Sequence, residues 1–246
     1  MRIVAVIPAR LASTRLPGKV LLPIAGVPML GWVYRAALAC PQLDQVLIAT
    51  DSQEVVAYAD AEGWPSLMTS PDLASGTDRV HAVSKVVDAD IYVNIQGDEP
   101  LIRGEHIDAL LRPFALPQAE VTTLSNPCSP QEVDDPNAVK VVTAGDGRAL
   151  YFSRATIPYN RGVAVAPRKH LGIYAYRKAA LQRFAGLPPS PLEQAERLEQ
   201  LRMLENGIAI YVEHTHLVTI GVDTEEDLHA AERFLQQQSG GMLPRR

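Results

Sequence analysis

The chain has 246 residues, 47% of them apolar, enough for one large α/β domain or two small ones with a sizeable core. A formal net charge of -5 argues against a surface that tracks nucleic acid along its whole length, so any anion site has to be local. Cys40 and Cys128, the 2 cysteines, provide neither a disulfide framework nor a zinc cluster and fit a reducing cytoplasm, and no stretch approaches the ~20 apolar residues of a membrane span.

The first apolar run, 3–7, is too short for a signal peptide and predicts a strand. A helix follows over 28–39, with Pro28 suited to its first turn, then a strand over 45–50, helices over 53–62 and 78–87, a strand over 90–96, a helix over 104–115 and a strand over 121–124. This alternation implies an α/β fold with a mostly parallel sheet and helices on both faces. The second half is less regular. Gly145-Asp146-Gly147 joins strand-like 138–143 and 149–152 as a hairpin, which makes the sheet mixed. A Pro-containing loop over 157–167 leads to a strand over 171–176, helices over 177–185 and 191–206, a strand over 208–212 and a closing helix over 227–238. No repeat or linker-like composition break interrupts the chain, so a single domain is expected over 1–238, with a frayed tail over 239–246.

Chemistry concentrates where strands end, because open α/β sheets bind ligands beyond the carboxyl ends of their strands. After the first strand come Arg10, Arg15 and Lys19, three cations that can converge on a triphosphate, with Gly18 allowing close backbone approach. The segment matches neither the P-loop nor the GxGxxG pattern, and the spacing alone also suits a solvated basic loop. The strand over 90–96 stops at Gly97-Asp98-Glu99, where a carboxylate is placed to hold magnesium. That ion commonly takes one or two protein carboxylates plus phosphate and water, so Asp98 needs a second acid, for which Asp223 is the candidate. An Asp or Thr before Glu225-Glu226-Asp227 is equally a good helix start. Ser75-Gly76-Thr77-Asp78-Arg79 also reads as a helix cap whose backbone could meet a nucleobase edge. A GxSxG elbow and a catalytic cysteine context are both lacking, which disfavours covalent catalysis, and the histidines show no HExxH-like spacing.

In order along the chain, IPARLASTRLPGK, SGTDR, NIQGDEP, DPNAVKVV, ALYFSRATIPY, KHLGIYAYR, PSPLEQAERLEQLRMLE and GVDTEEDL together resemble the 3-deoxy-manno-octulosonate cytidylyltransferases, the CMP-KDO synthetases, over nearly the whole chain. The resemblance implies a nucleotide-diphospho-sugar transferase, Rossmann-like fold, a cytoplasmic homodimer, CTP as donor, the acidic sugar KDO as acceptor, and a role in lipopolysaccharide biosynthesis. It implies catalytic roles for Arg10, Lys19, Asp98 and Asp223, with Mg2+ on the two acids. Ala9, Arg10, Ser13, Lys19, Ser75, Gly76, Arg79, Gln96 and Gly97 fall in the nucleotide-binding stretches, and Arg154, His170, Tyr174, Glu199 and Gln200 in those that surround the sugar.

Three departures stand out: Leu73 where the family often has His, a short loop from Tyr159 to Arg168, and Thr219-Ile220 leading into Gly221. The short loop is shared with relatives that resemble enzymes using 8-amino-KDO, so that sugar stays open as acceptor. Activation of another acidic sugar or a sugar phosphate, and a non-catalytic nucleotide-binding module, are the further alternatives. The expected reaction is in-line attack of the sugar's C2 hydroxyl on the α-phosphorus of CTP, without a covalent enzyme intermediate.

Overall fold

The computed structural model describes residues 1–11 and 16–239; Ser13, Arg15 and all but Ser239 of the expected tail lie outside the described residues. In chain order the regular elements are β1 (Ile3–Ala9), β2 (Pro23–Ile24), β3 (Val27–Pro28), α1 (Met29–Leu38), β4 (Gln45–Thr50), α2 (Gln53–Glu62), β5 (Ser66–Met68), α3 (Gly76–Ser84) and β6 (Ile91–Asn94). Then come α4 (Gly104–Leu111), β7 (Val121–Pro127), β8 (Lys140–Thr143), β9 (Ala149–Ser153), β10 (Arg168–Arg177), α5 (Lys178–Ala185), α6 (Pro191–Glu196), α7 (Gln200–Glu205), β11 (Ile210–His214) and α8 (Glu225–Ser239). The chain divides into two compact units, the first built from residues 2–88, 94–105 and 218–246, the second from residue 1, 89–93 and 106–217.

In the first unit β1, β4 and β5 lie side by side in parallel. All seven residues of β1 are buried, and a strand covered on both faces needs no polar alternation, so its sequence reads as one apolar run. Pro28 stands one residue ahead of α1, closing a β2–β3 hairpin whose turn residues Ala25 and Gly26 take φ of 49° and 80°. Helix α1 buries Met29, Leu30, Val33, Tyr34 and Ala37, one face of a 3.6-residue repeat, and Tyr34 stacks on Trp64 with ring centroids 4.2 Å apart. The bounds of α2 match the sequence reading because both stops are written locally: the Ser52 hydroxyl accepts from the Glu54 amide, and Gly63 ends the helix at φ 72°.

In the second unit the strands run in the order β11-β7-β10-β6. Strand β7 pairs antiparallel with β10 and parallel with β11, while β8 and β9 form the expected hairpin, turning at Gly147 with φ 86°. Strand β10 carries an irregularity between Leu171 and Tyr174, where the register with β7 shifts. The single helix expected over 191–206 is two, α6 and α7, broken at Arg197, which adopts a left-handed φ of 52°. The mixed α/β class holds, with parallel pairing through β1, β4 and β5 of the first unit. No helix among the described residues is long and apolar enough to cross a membrane.

Candidate active site

Three loops of the first unit meet around Lys19. Beyond β1, Gly18 takes φ 68° and its amide bonds the Leu11 carbonyl at 3.1 Å, which turns the basic loop and starts the short helical turn Lys19–Leu21. Lys19 is thereby aimed inward: its Nζ donates to Asp98 Oδ2 at 2.5 Å, to Asp223 Oδ1 at 2.8 Å and to the Val222 carbonyl at 3.2 Å. The amide of Val222 bonds back to the Asp98 carbonyl at 2.9 Å, so acids 125 positions apart in the chain (223 minus 98) are fixed on one ammonium. Burial alone would lower the Lys19 pKa, but the charges and hydrogen bonds of Asp98 and Asp223 outweigh it and hold the ammonium above its ordinary range.

The helix-start role considered for Asp223 falls instead to its neighbours. Thr224 and Asp227 cap α8 reciprocally: Asp227 Oδ2 accepts from the Thr224 amide at 2.9 Å, and the Thr224 hydroxyl accepts from the Asp227 amide at 3.2 Å. The Asp223 carboxylate is turned to Lys19. Gly97 precedes Asp98 for want of space, since a Cβ there would lie 2.9 Å from the Pro8 carbonyl oxygen.

Arg10 spends its guanidinium on the segment before α3, donating to the carbonyls of Leu73 at 2.5 Å, Ala74 at 3.2 Å and Pro71 at 3.4 Å. Its Nε lies 3.7 Å from Asp51 Oδ2, an ion pair too long for a hydrogen bond. Asp51, which the sequence did not single out, also binds Arg79 Nη2 at 2.6 Å; the Arg79 side chain is fully buried and also donates to Thr69. Arg79 therefore faces the interior. Ser75 and Asp78 form a capping box, and a Cβ on Gly76 would press 3.3 Å from the Gln96 amide, so the start of α3 lies against Gln96. Ala9 is wholly buried in β1.

The candidate acceptor residues all lie in the second unit. Arg154 holds backbone rather than acids: its Nε, Nη1 and Nη2 donate to the carbonyls of Glu196 at 2.7 Å, Pro136 at 2.9 Å and Arg197 at 3.4 Å. Glu196, another residue that sequence patterning missed, accepts from the Ser153 hydroxyl at 2.6 Å and the Arg154 amide at 2.9 Å. His170 Nε2 sits 3.0 Å from the Thr123 hydroxyl and edge-on to Phe152, and burial pushes its imidazole down to about 3. The Tyr174 ring centroid is 5.3 Å from that of His170, and its hydroxyl is buried without a hydrogen-bond partner among the described residues. Burial, then the neighbouring Tyr176 and Glu199, raise the Tyr174 phenol well above its usual range. Gln200 is buried at the start of α7, and Glu199 lies 3.7 Å from Arg202.

The donor set of Asp98 and Asp223 fits a magnesium ion. Two carboxylate oxygens already converge on a positive charge, and one or two protein carboxylates are what this ion usually takes. Among the described residues no group of three or more His, Cys, Asp or Glu could hold a metal, so the pair is the chain's offer there.

A family model described as Cytidylyltransferase matches residues 4–214. The chain belongs to the cytidylyltransferase family. Similar relatives carry the name 3-deoxy-manno-octulosonate cytidylyltransferase: one from Acidobacterium capsulatum is 64% identical over 97% of this chain and 98% of its own length, and one from Koribacter versatilis is 54% identical over 97% and 92%. A solved CMP:2-keto-3-deoxy-manno-octonic acid synthetase in complex with CTP superposes with a TM-score of 0.93 at 44% identity, covering 97% of this chain and 100% of that one. A cytidylyltransferase from Leptospira borgpetersenii, at 18% identity and a TM-score of 0.66, shares the fold of this cytidylyltransferase.

Proposed function

We propose that this cytidylyltransferase joins CMP from CTP to 3-deoxy-manno-octulosonate and releases pyrophosphate, as a Mg2+-dependent cytoplasmic homodimer serving lipopolysaccharide biosynthesis. The observation that carries the reading is the convergence of Asp98, Asp223 and Lys19 beyond the end of β1, in a chain 64% identical to a relative of that name.

In the reaction the sugar's C2 oxygen forms a bond to the α-phosphorus while the bond from that phosphorus to the bridging oxygen of pyrophosphate breaks, and the hydroxyl proton is released to solvent. Asp98 and Asp223 would hold Mg2+, which when bound neutralises phosphate charge and lowers the pKa of the attacking hydroxyl. Arg10 and Lys19 supply positive charge against the charge that builds on the leaving pyrophosphate, and backbone amides of the basic loop add donors without further charge. Ser75, Gly76 and Gln96 form a closely packed wall for the nucleoside. Arg154, His170, Tyr174, Glu199 and Gln200 receive the acidic sugar, with Arg154 offering charge to its carboxylate. His170, held neutral by its surroundings, acts there as a hydrogen-bonding group and not as a cation.

The test offers CTP and Mg2+ with KDO and 8-amino-KDO side by side, following pyrophosphate release. KDO-dependent release that falls about 10²- to 10³-fold in folded Asp98→Asn protein is expected. Release with 8-amino-KDO alone would move the acceptor assignment, and near-normal turnover of the variant would remove the role given to Asp98.

A further inference from the structure

We propose that the Lys19 ammonium is a built-in placeholder: it occupies the seat between Asp98 and Asp223 that a divalent cation takes, and the two cations exclude one another. The inference rests on the reading of the two acids as metal ligands. Its basis is geometric. An ammonium 2.5 Å from one carboxylate oxygen and 2.8 Å from the other lies in contact with both, and the Val222 carbonyl accepts its third contact at 3.2 Å. The Lys19 side chain is 13% exposed, against 30% for Asp98 and 47% for Asp223, so the positive charge sits deeper than the acids that hold it. A metal bridging those acids would meet the ammonium at van der Waals range, where like charges repel.

Without the ammonium, two carboxylates drawn together would repel each other; with it, the pair is kept assembled and neutralised until a cation of higher charge arrives. Lys19 then leaves the acids with its charge intact, available to phosphate oxygens. One side chain would thus serve two anionic partners in turn. The metal affinity of the nucleotide-free protein is lowered by the competition, which favours the ion arriving together with a nucleotide.

The experiment measures Mn2+ binding to nucleotide-free protein by electron paramagnetic resonance, for the wild type, Lys19→Met and Lys19→Arg. Two part-exposed ion pairs amount to roughly a tenfold competition, so Lys19→Met is expected to bind Mn2+ about tenfold more tightly, and Lys19→Arg no more tightly than the wild type. In parallel, acylation of Lys19 in the wild type by an amine-reactive ester, read by peptide mass spectrometry, is expected to rise when Mn2+ is added. This arm decides the matter even where a variant fails to fold. Equal or weaker Mn2+ binding by folded Lys19→Met, or Lys19 acylation indifferent to the metal, overturns the placeholder while leaving the two acids as metal ligands. Absence of Mn2+ binding in both wild type and variant overturns the ligand assignment and the placeholder with it.

Discussion

Replacing Asp51 with Asn strikes a buried charge that the rest of the first unit leans on. The Arg79 side chain is 0% exposed and Asp51 14%, and the bond between them is 2.6 Å. Breaking such a pair from one side strands a desolvated guanidinium, at about 3–5 kcal/mol. Arg79 has little in reserve: among the described residues its Nε is buried without a hydrogen-bond partner, and its guanidinium also donates to Thr69. Asn retains one acceptor oxygen, so the lower figure, about 3 kcal/mol, applies. For a chain of this size each kcal/mol moves the melting midpoint by about 2–4 °C, giving a fall of about 6–12 °C in a calorimetric scan. Asp51→Asn combined with Arg79→Met removes the stranded charge and is expected to recover most of the loss. An Asp51→Asn melt within about 2 °C of the wild type, or a double variant no more stable than the single one, would refute the account.

Gly97→Ala places a Cβ 2.9 Å from the Pro8 carbonyl oxygen, a backbone atom with little room to give, so kcat/KM for CTP is expected to fall about 10- to 100-fold in initial-rate assays at saturating sugar, and an unchanged value would show that the loop yields freely. His170 is held at about 3, below its ordinary 6.5, so the unfolded chain binds a proton that the folded one refuses. Stability is therefore lost as pH falls from about 6.5 toward 3, at up to about 1.4 kcal/mol per unit, and urea midpoints of His170→Gln should decline less steeply over that window; coincident slopes would contradict the assignment. Glu196→Ala removes the acceptor of both the Ser153 hydroxyl and the Arg154 amide, a loss of about 2–3 kcal/mol in denaturant titrations, with KM for the sugar rising; Glu196→Gln keeps one acceptor and should lose less than half as much.

What could be read before the structure, and what could not, divides along the range of the forces involved. Helix α2 was legible to the residue, since Ser52 and Gly63 carry its limits in their own side-chain chemistry and backbone freedom. The hairpin of β8 and β9 was announced by its glycine turn. The break at Arg197 was not, because the apolar spacing runs on through it: Glu196, which ends α6, is drawn to Ser153 and Arg154, 43 and 42 positions earlier in the chain, and local propensity has no knowledge of that pull. Strand β5 is only three residues long and begins with Ser66, too short to show a period. In the site, strand-end logic and family resemblance pointed to Asp98 and Asp223, but spacing could not foretell that both would hold Lys19. Asp51 directly follows β4, and an acid just past a parallel strand was a signal open to notice. Arg154 shows another limit: its type suits a substrate carboxylate, but spacing could not foretell that its guanidinium would also hold three backbone carbonyls.

The first unit is woven from three stretches of chain, with residues 106–217 belonging to the other. No contiguous fragment can therefore carry the Lys19, Asp98 and Asp223 cluster without carrying that insertion too. On the ribosome the basic loop and the first acid emerge early and must wait for more than a hundred further residues before the second acid exists to close the ring. A nascent chain halted before residue 218 lacks Asp223 altogether, so the three-residue cluster is completed late in synthesis, all at once rather than by degrees.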